Sequence, residues 1–213
     1  MRPIDPVIEH VLTPRGAVAL WHDVTPAELD RLAIGPGLCG IVRDPATLRR
    51  ILRALAADPR ARLTLAVADG AIVGRAAVAP SFGRWRDLPC VEEFAIEVAR
   101  EWRHAGLARQ LTARALADPA TEDGLLLAFT LPAAWDMAHE RLSSAAYRAR
   151  LAAFLGEYGF RPTGTDEPEV LFERDAALLV RVGEHVPAAA VAAFEQARYL
   201  GPVRRAERQQ QAA

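Results

Sequence analysis

The sequence contains no lysine and no asparagine, so arginine supplies all 26 of its Lys and Arg side chains. The absence of lysine excludes a P-loop, because that nucleotide-binding motif places a lysine on the phosphates. The 26 cations nearly balance 27 Asp and Glu residues, which leaves a formal net charge of −1. Such a charge gives no general attraction to nucleic acid or to anionic lipid, so we expect neither a nucleic-acid nor a membrane partner.

Cysteine is also scarce. Cys39 and Cys90 are too few for a disulfide scaffold, and neither they nor the five histidines show the spacing of metal ligands. No apolar run approaches the roughly 20 residues of a membrane span, and the start, MRPIDPVIEH, lacks the apolar region of a secretory signal. We therefore expect a cytoplasmic protein without a bound metal.

The 213 residues are 51% hydrophobic and 25% charged, which is typical of a globular chain. We predict one domain over residues 1–203 and a polar tail over residues 204–213. The patterns predict strands at 15–24, at 62–80 (two strands joined by an Asp-Gly turn), at 91–99, at 124–130 and at 175–183, and helices at 25–34, 44–60, 106–117, 143–160 and 187–200.

Two helix starts carry clear capping signals. Thr25, Pro26 and Glu28 form a capping box with proline in the first turn, and Asp44 precedes Pro45 in the same way. In the second helix we expect one apolar face, made of Leu48, Ile51, Leu52 and Leu55. The resulting order, β-α-α-β-β-β-α-β-α-β, predicts an α/β fold with a mixed central sheet flanked by helices.

The stretch REWRHAGLAR, residues 100–109, lies between the strand VEEFAIEVA and the next helix. Glycine and alanine at positions 106 and 108 allow a ligand to approach the backbone closely, and glycine also allows left-handed dihedral angles. Amide groups at the helix start can bind a phosphate, and Arg103 and Arg109 add positive charge. The segment therefore predicts an anion-binding turn.

This R-x-x-G-x-A motif after a strand ending in valine resembles the pyrophosphate loop of the GCN5-related N-acetyltransferases (GNAT). The element order is similar to that family's plan. The resemblance implies the GNAT fold and acetyl-coenzyme A (acetyl-CoA) as cosubstrate. It places the cosubstrate on Ile96, Val98, Arg103, His104, Ala105, Gly106, Leu107, Ala108 and Arg109.

A narrower resemblance extends from about Thr13 to about Tyr199. The segments EEFAIEVAREWRHAG, TLPAAWD, AYRARL, GTDEPEV and ALLVRVGEHV are similar to the acetoin-utilisation acetyltransferases, an AcuA-like bacterial branch of the family. That branch implies acetylation of a lysine on acetyl-CoA synthetase, which would be the protein partner. The absence of lysine here is explained by codon bias or by avoidance of self-modification, and the sequence does not separate the two.

A lysine ammonium must lose a proton before it can attack a thioester. The resemblance assigns the base to Glu92, six residues before Val98, with Glu97 as second candidate. Strand alternation places Glu93 with Glu97 on the face opposite Glu92. The amide of Val98 is the candidate donor to the thioester oxygen.

Many relatives use a tyrosine on the later helix to protonate the departing thiolate. The matching position is Leu155, so the acid is unassigned, and we interpret nearby Tyr147 as a packing residue.

The candidate residues for binding the acceptor are acidic or aromatic: Trp135, Asp136, Asp166 and Glu167. Carboxylates would suit a cationic lysine, but a capped loop with solvated carboxylates explains them equally well.

Two other functions stay open: acetylation of a small amine, and a non-catalytic partner of the synthetase that senses acetyl-CoA. A G-x-G-x-x-G match at residues 35–40 follows a predicted helix rather than a strand, which argues against a dinucleotide site.

Overall fold

The computed structural model describes residues 7–38 and 40–200. Cys39 and the predicted tail at 204–213 therefore lie outside the described residues. The chain forms two compact units. The first comprises the described residues up to Pro80 together with Glu93–Pro119, and the second comprises Ser81–Glu92 and the described residues from Ala120 onward. The single domain expected from the sequence stays a prediction.

The first unit is built on antiparallel strands. Its elements are β1 (Val7–Thr13), β2 (Gly16–His22), α1 (Pro26–Leu29), β3 (Ala33–Ile34), α2 (Pro45–Ala57), β4 (Arg62–Ala68), β5 (Ala71–Pro80), most of β6 (Val91–Val98) and α3 (Leu107–Ala115). The strands lie in the order β1, β2, β4, β5, β6. Neighbours from β1 to β5 are antiparallel, whereas the short β3 runs parallel to β5.

The predicted turns and caps of this unit are confirmed. Asp69 and Gly70 both have positive φ, at 48° and 74°, as expected for the hairpin between β4 and β5. Thr25 and Glu28 form the capping box of α1, and the Asp44 carboxylate accepts the amides of the first turn of α2.

Three expectations for this unit need correction. The helix predicted at 25–34 ends at Leu29, because the backbone at Ala33–Ile34 pairs with β5 instead. Strand β1 was not predicted. On α2, Ile51 is exposed and Ala56 takes its place on the buried face.

Helix α3 packs on β4 and β5. It buries Leu107 and Leu111, and a Cβ at Gly74 would come within 2.8 Å of Leu111 Cδ1. A glycine in β5 therefore allows the helix to approach the strand, which fixes the position of the predicted anion-binding turn at the start of α3.

The second unit contains the remaining elements: β7 (Leu125–Thr130), α4 (Met137–Glu140), α5 (Ser144–Gly156), β8 (Arg161–Thr163), α6 (Pro168–Leu171), β9 (Ala177–Val182) and α7 (Ala188–Ala197). Its strands lie in the order β7, β9, β8, all antiparallel. The core is centred on Trp85 and Phe194, whose ring centroids are 5.4 Å apart. Among the described residues, no helix is long and apolar enough to cross a membrane.

Candidate active site

The turn that follows β6 is held to the end of that strand. A short 3-10 helix covers Arg100–Trp102, and the Trp102 amide donates to the Ala99 carbonyl at 2.8 Å. Arg103 then folds back, and its Nε donates to the Val98 carbonyl at 3.3 Å. The turn is therefore held against the end of the strand.

Gly106 is the N-cap of α3 and adopts the left-handed conformation, with φ of 79°. A glycine offers no side chain to cap the helix, and a Cβ built here would meet nothing within 4 Å. The first N–H groups of a helix have no partner within the helix. A left-handed residue followed by a helical turn also brings successive N–H groups to one concave side. The turn has the form of an anion site.

The predicted turn residues differ in how deeply their side chains are buried. The side chains of Ala105 and Leu107 are buried, so they can contribute to a ligand only through their backbone. Arg103 is half-buried, whereas His104 and Arg109 are exposed. Helix-start amides together with guanidinium groups fit a diphosphate, so the chemistry of this turn fits the pyrophosphate of acetyl-CoA.

Gly37, from the predicted dinucleotide-motif match, also contacts this region. The Arg100 amide donates to the Gly37 carbonyl at 3.3 Å, and a Cβ at Gly37 would lie 2.9 Å from the Arg100 nitrogen. The Gly35 amide donates to Ile72 in β5, and a Cβ there would lie 2.5 Å from the Ile72 carbonyl oxygen. These two glycines allow close packing of backbone on backbone, which explains the match to the dinucleotide motif.

Glu97, the second candidate base, is buried and has both carboxylate oxygens engaged. Its Oε1 accepts the Gly40 amide at 2.6 Å and the Ile41 amide at 3.3 Å. Its Oε2 lies 3.1 Å from both Nε and Nη2 of buried Arg75. A carboxylate with these contacts is suited to holding the backbone at Gly40 and Ile41 in place, whereas its role as a base stays a prediction.

Glu92, the first candidate base, is half-buried near the start of β6. A Cβ at Gly124 would lie only 2.9 Å from Glu92 Oε2, so the carboxylate lies against the backbone that leads into β7. That backbone is fixed, because the Leu125 amide donates to the Cys90 carbonyl at 2.7 Å. The carboxylate therefore has a defined local position, although its catalytic role is untested.

Trp135 stacks on Tyr147 in the second unit, with centroids 5.1 Å apart and rings 7° from parallel. Tyr147 is buried and also contacts the Arg150 guanidinium, which agrees with its interpretation as a packing residue. Asp136 is half-buried at the start of α4, and Leu155 is buried in α5. Binding of an acceptor by Trp135 and Asp136 stays a prediction.

Asp166 and Glu167 converge on one buried arginine. Arg84 pairs through Nη1 with Asp166 Oδ1, its Nη2 donates to the Asp166 carbonyl at 3.1 Å, and its Nε lies 2.6 Å from Glu167 Oε2. Burial raises the pKa of the Glu167 carboxyl, against the lowering effect of the Arg84 charge. One interpretation of the sequence expected these carboxylates to be solvated in a capped loop. The structure contradicts it, because both carboxylates contact buried Arg84. Their proposed role in acceptor binding stays a prediction.

Sequence reasoning missed Arg75 and Arg84. Arg75 lies inside the apolar strand AIVGRAAVAP, and Arg84 lies between Gly83 and Trp85. A charge within an apolar run is costly to bury unless it is paired, so the context of Arg75 was a signal that it has a carboxylate partner. Arg84 is followed closely by Arg86 and Asp87, and its context gave no such signal. The partners themselves are 22 and 82 residues away along the chain and could not be chosen from local pattern.

A strand that leads into an anion-binding turn at a helix start is an arrangement that binds phosphate groups. Residues 26–141 match the acetyltransferase (GNAT) family. The chain belongs to this family, and it is therefore an acyltransferase.

Among solved structures, the chain is similar to the acetoin utilization protein of Exiguobacterium sibiricum, with 28% identity and a TM-score of 0.83 over 92% of this chain and 96% of that one. This similarity confirms the resemblance to the acetoin-utilisation branch. The GNAT domain of S. lividans PAT gives 12% identity and a TM-score of 0.56 over 81% of this chain and 95% of that one, which supports the fold alone. No curated protein sequence matches the chain.

Proposed function

We propose that this protein transfers the acetyl group of acetyl-CoA to a lysine side chain of a partner protein, and that acetyl-CoA synthetase is that partner. The similarity to an acetoin utilization protein over 92% of the chain carries the proposal. Members of the GNAT family use acetyl-CoA, and the reaction would take place in the cytoplasm, where both substrates are expected.

Acetyl-CoA supplies a thioester carbonyl that an amine can attack. The turn between β6 and α3 would bind acetyl-CoA. There the first amides of α3 would donate to the diphosphate, and Arg103 and Arg109 would balance its charge. The open space above Gly106 supports this assignment, because no side chain fills it.

Glu92 would accept the proton that the lysine ammonium must lose, directly or through water. The amide of Val98, at the end of β6, would donate to the thioester oxygen.

Two other functions remain possible outcomes. A small amine could replace the lysine as acceptor, in which case the same base and the same turn would act. A non-catalytic sensor would use the turn but would not depend on Glu92. Loss of Glu92 would slow the acetylation of a small amine but would leave a sensor intact. The experiment therefore includes a variant of Glu92.

The test combines the protein, acetyl-CoA and purified acetyl-CoA synthetase from the same source, with the synthetase followed by intact mass. Glu92→Gln removes the proposed base, and Glu93→Gln is the matched control, on the opposite face of β6. We expect added acetyl groups with wild type and the control, and at least tenfold slower addition with Glu92→Gln.

An unmodified synthetase would contradict the protein acceptor. Release of the coenzyme A thiol with small amines would then support the first alternative. Binding of acetyl-CoA without any transfer would support the second.

A further inference from the structure

Strand β1 lies at one end of the strand order and pairs with β2 alone among the described residues. In the second unit, the strand at the end of the order is β8, which has three residues with Pro162 at its centre. Short length and proline are two ways in which proteins protect a strand edge from pairing. β1 has seven residues and neither protection, so within the described part of the chain its outer edge is complete.

The hairpin register fixes which backbone groups point outward from β1. Thr13 pairs with Gly16 across a two-residue turn, so these two form a hydrogen-bonded pair. Hydrogen-bonded positions alternate along an antiparallel strand, which directs residues 9, 11 and 13 to β2. The N–H and C=O groups of Ile8, His10 and Leu12 are therefore the ones that face outward.

The side chains of these three residues share one face of the strand. Ile8 is 43% exposed and Leu12 is 90% exposed, although both are large and apolar. The opposite face is already occupied, because the Glu9 carboxylate lies 2.9 Å from Arg114 Nε in α3. The two exposed apolar side chains, Ile8 and Leu12, thus belong to residues whose backbone groups also point away from β2.

The order of these positions is self-complementary. If a second copy is placed antiparallel with His10 opposite His10, each Ile8 faces the other copy's Leu12. All three pairs are then of the hydrogen-bonded kind, and they exchange about six backbone bonds. A pattern that reads apolar, histidine, apolar in both directions is what a two-fold interface requires.

We propose that two copies of the chain associate through β1, antiparallel, about a two-fold axis at His10. This dimer joins two sheets edge to edge, with Ile8 and Leu12 covering each other. It is independent of the proposed acetylation.

The first test is the molar mass of the full chain, measured by light scattering over a dilution series. Wild type is expected to be dimeric. His10→Pro removes an outward N–H that β2 does not use, and Leu12→Glu places charge opposite Ile8, so both variants should be monomeric. The control Ile51→Glu changes an equally apolar, exposed side chain on α2 and should stay dimeric. Circular dichroism verifies that each variant is folded.

The second test fixes the register in a background with Cys39 and Cys90 replaced by serine. His10→Cys should form a disulfide between copies, because a hydrogen-bonded pair has Cα atoms about 5.5 Å apart. Leu12→Cys should not, because residue 12 faces residue 8 of the other copy.

A monomeric wild type would overturn the proposal, as would a dimer that survives both edge variants or one that cross-links through Leu12→Cys alone. Dimerisation only after removal of residues 1–6 would also overturn it, since the chain would then cover its own edge.

Discussion

Arg75 and Glu97 form a buried ion pair, with Glu97 Oε2 3.1 Å from two guanidinium nitrogens. Removing one partner of such a pair leaves a buried charge, at a cost of about 3–5 kcal/mol. We therefore expect Arg75→Met to lower the free energy of unfolding in urea by about that amount. Adding Glu97→Gln should recover part of the loss, because no buried charge then remains. Additive losses in the double variant would contradict the pairing.

Arg84 should matter for the same reason in the second unit, because its loss would leave Asp166 and Glu167 without their cation. We expect Arg84→Met to destabilise by about 3 kcal/mol or more. The control is Arg53→Met, which breaks an exposed pair with Asp30 and should cost at most about 1 kcal/mol. Equal losses in the two variants, measured by denaturant unfolding, would show that the Arg84 pair is no more important than a surface pair.

Local chemistry explains which parts of the fold could be predicted. Thr25 caps α1 through its own hydroxyl, and Asp69 and Gly70 make a hairpin turn through their own dihedral angles. The turn before α3 was predicted for the same reason, since Gly106 determines it locally. Strand β3 depends instead on backbone pairing with residues 71–72, which no local pattern indicates.

The candidate site could also be predicted only in part, because local sequence does not show which distant residues pair. Glu92 and Glu97 look alike within one strand of sequence, and it is distant residues, the Arg75 guanidinium and the Gly40 and Ile41 amides, that bind Glu97 in the fold. The interpretation of Asp166 and Glu167 as solvated carboxylates, one of the two that the sequence left open, was wrong because the fold places both against buried Arg84. Composition gives the charges, but their pairing is a property of the tertiary structure.

Gly106→Ala should weaken the binding of acetyl-CoA. A left-handed conformation costs a non-glycine residue about 1–2 kcal/mol, so the turn should shift and the KM for acetyl-CoA should rise several-fold. Gly70→Ala is the matched control, because Gly70 has a similar φ of 74° and equally open surroundings in the β4–β5 hairpin. Both variants should lose stability, but only Gly106→Ala should change KM. Equal effects on KM would argue against binding at the turn.

His22 should make stability depend on pH. Burial, followed by the charge of Arg114, lowers the pKa of its imidazole below 6.5. The unfolded chain then binds more protons than the folded one, so stability is complete above pH 6.5 and falls as the pH drops toward the folded pKa. Urea unfolding between about pH 7 and about pH 5.5 should show this decline, with a smaller slope in His22→Gln. Parallel curves for the two proteins would contradict the assignment.

Gly124→Ala tests the position of Glu92 without changing its chemistry. The new Cβ would lie 2.9 Å from Glu92 Oε2, so the carboxylate must move. The displaced atom is the end of a flexible side chain, and the fold should therefore lose little stability. If Glu92 is the base, we expect kcat to fall at least tenfold while the KM for acetyl-CoA is unchanged, because proton transfer depends on position at the scale of one hydrogen bond. Unchanged kcat in a folded variant would mean that the proton is taken by another group.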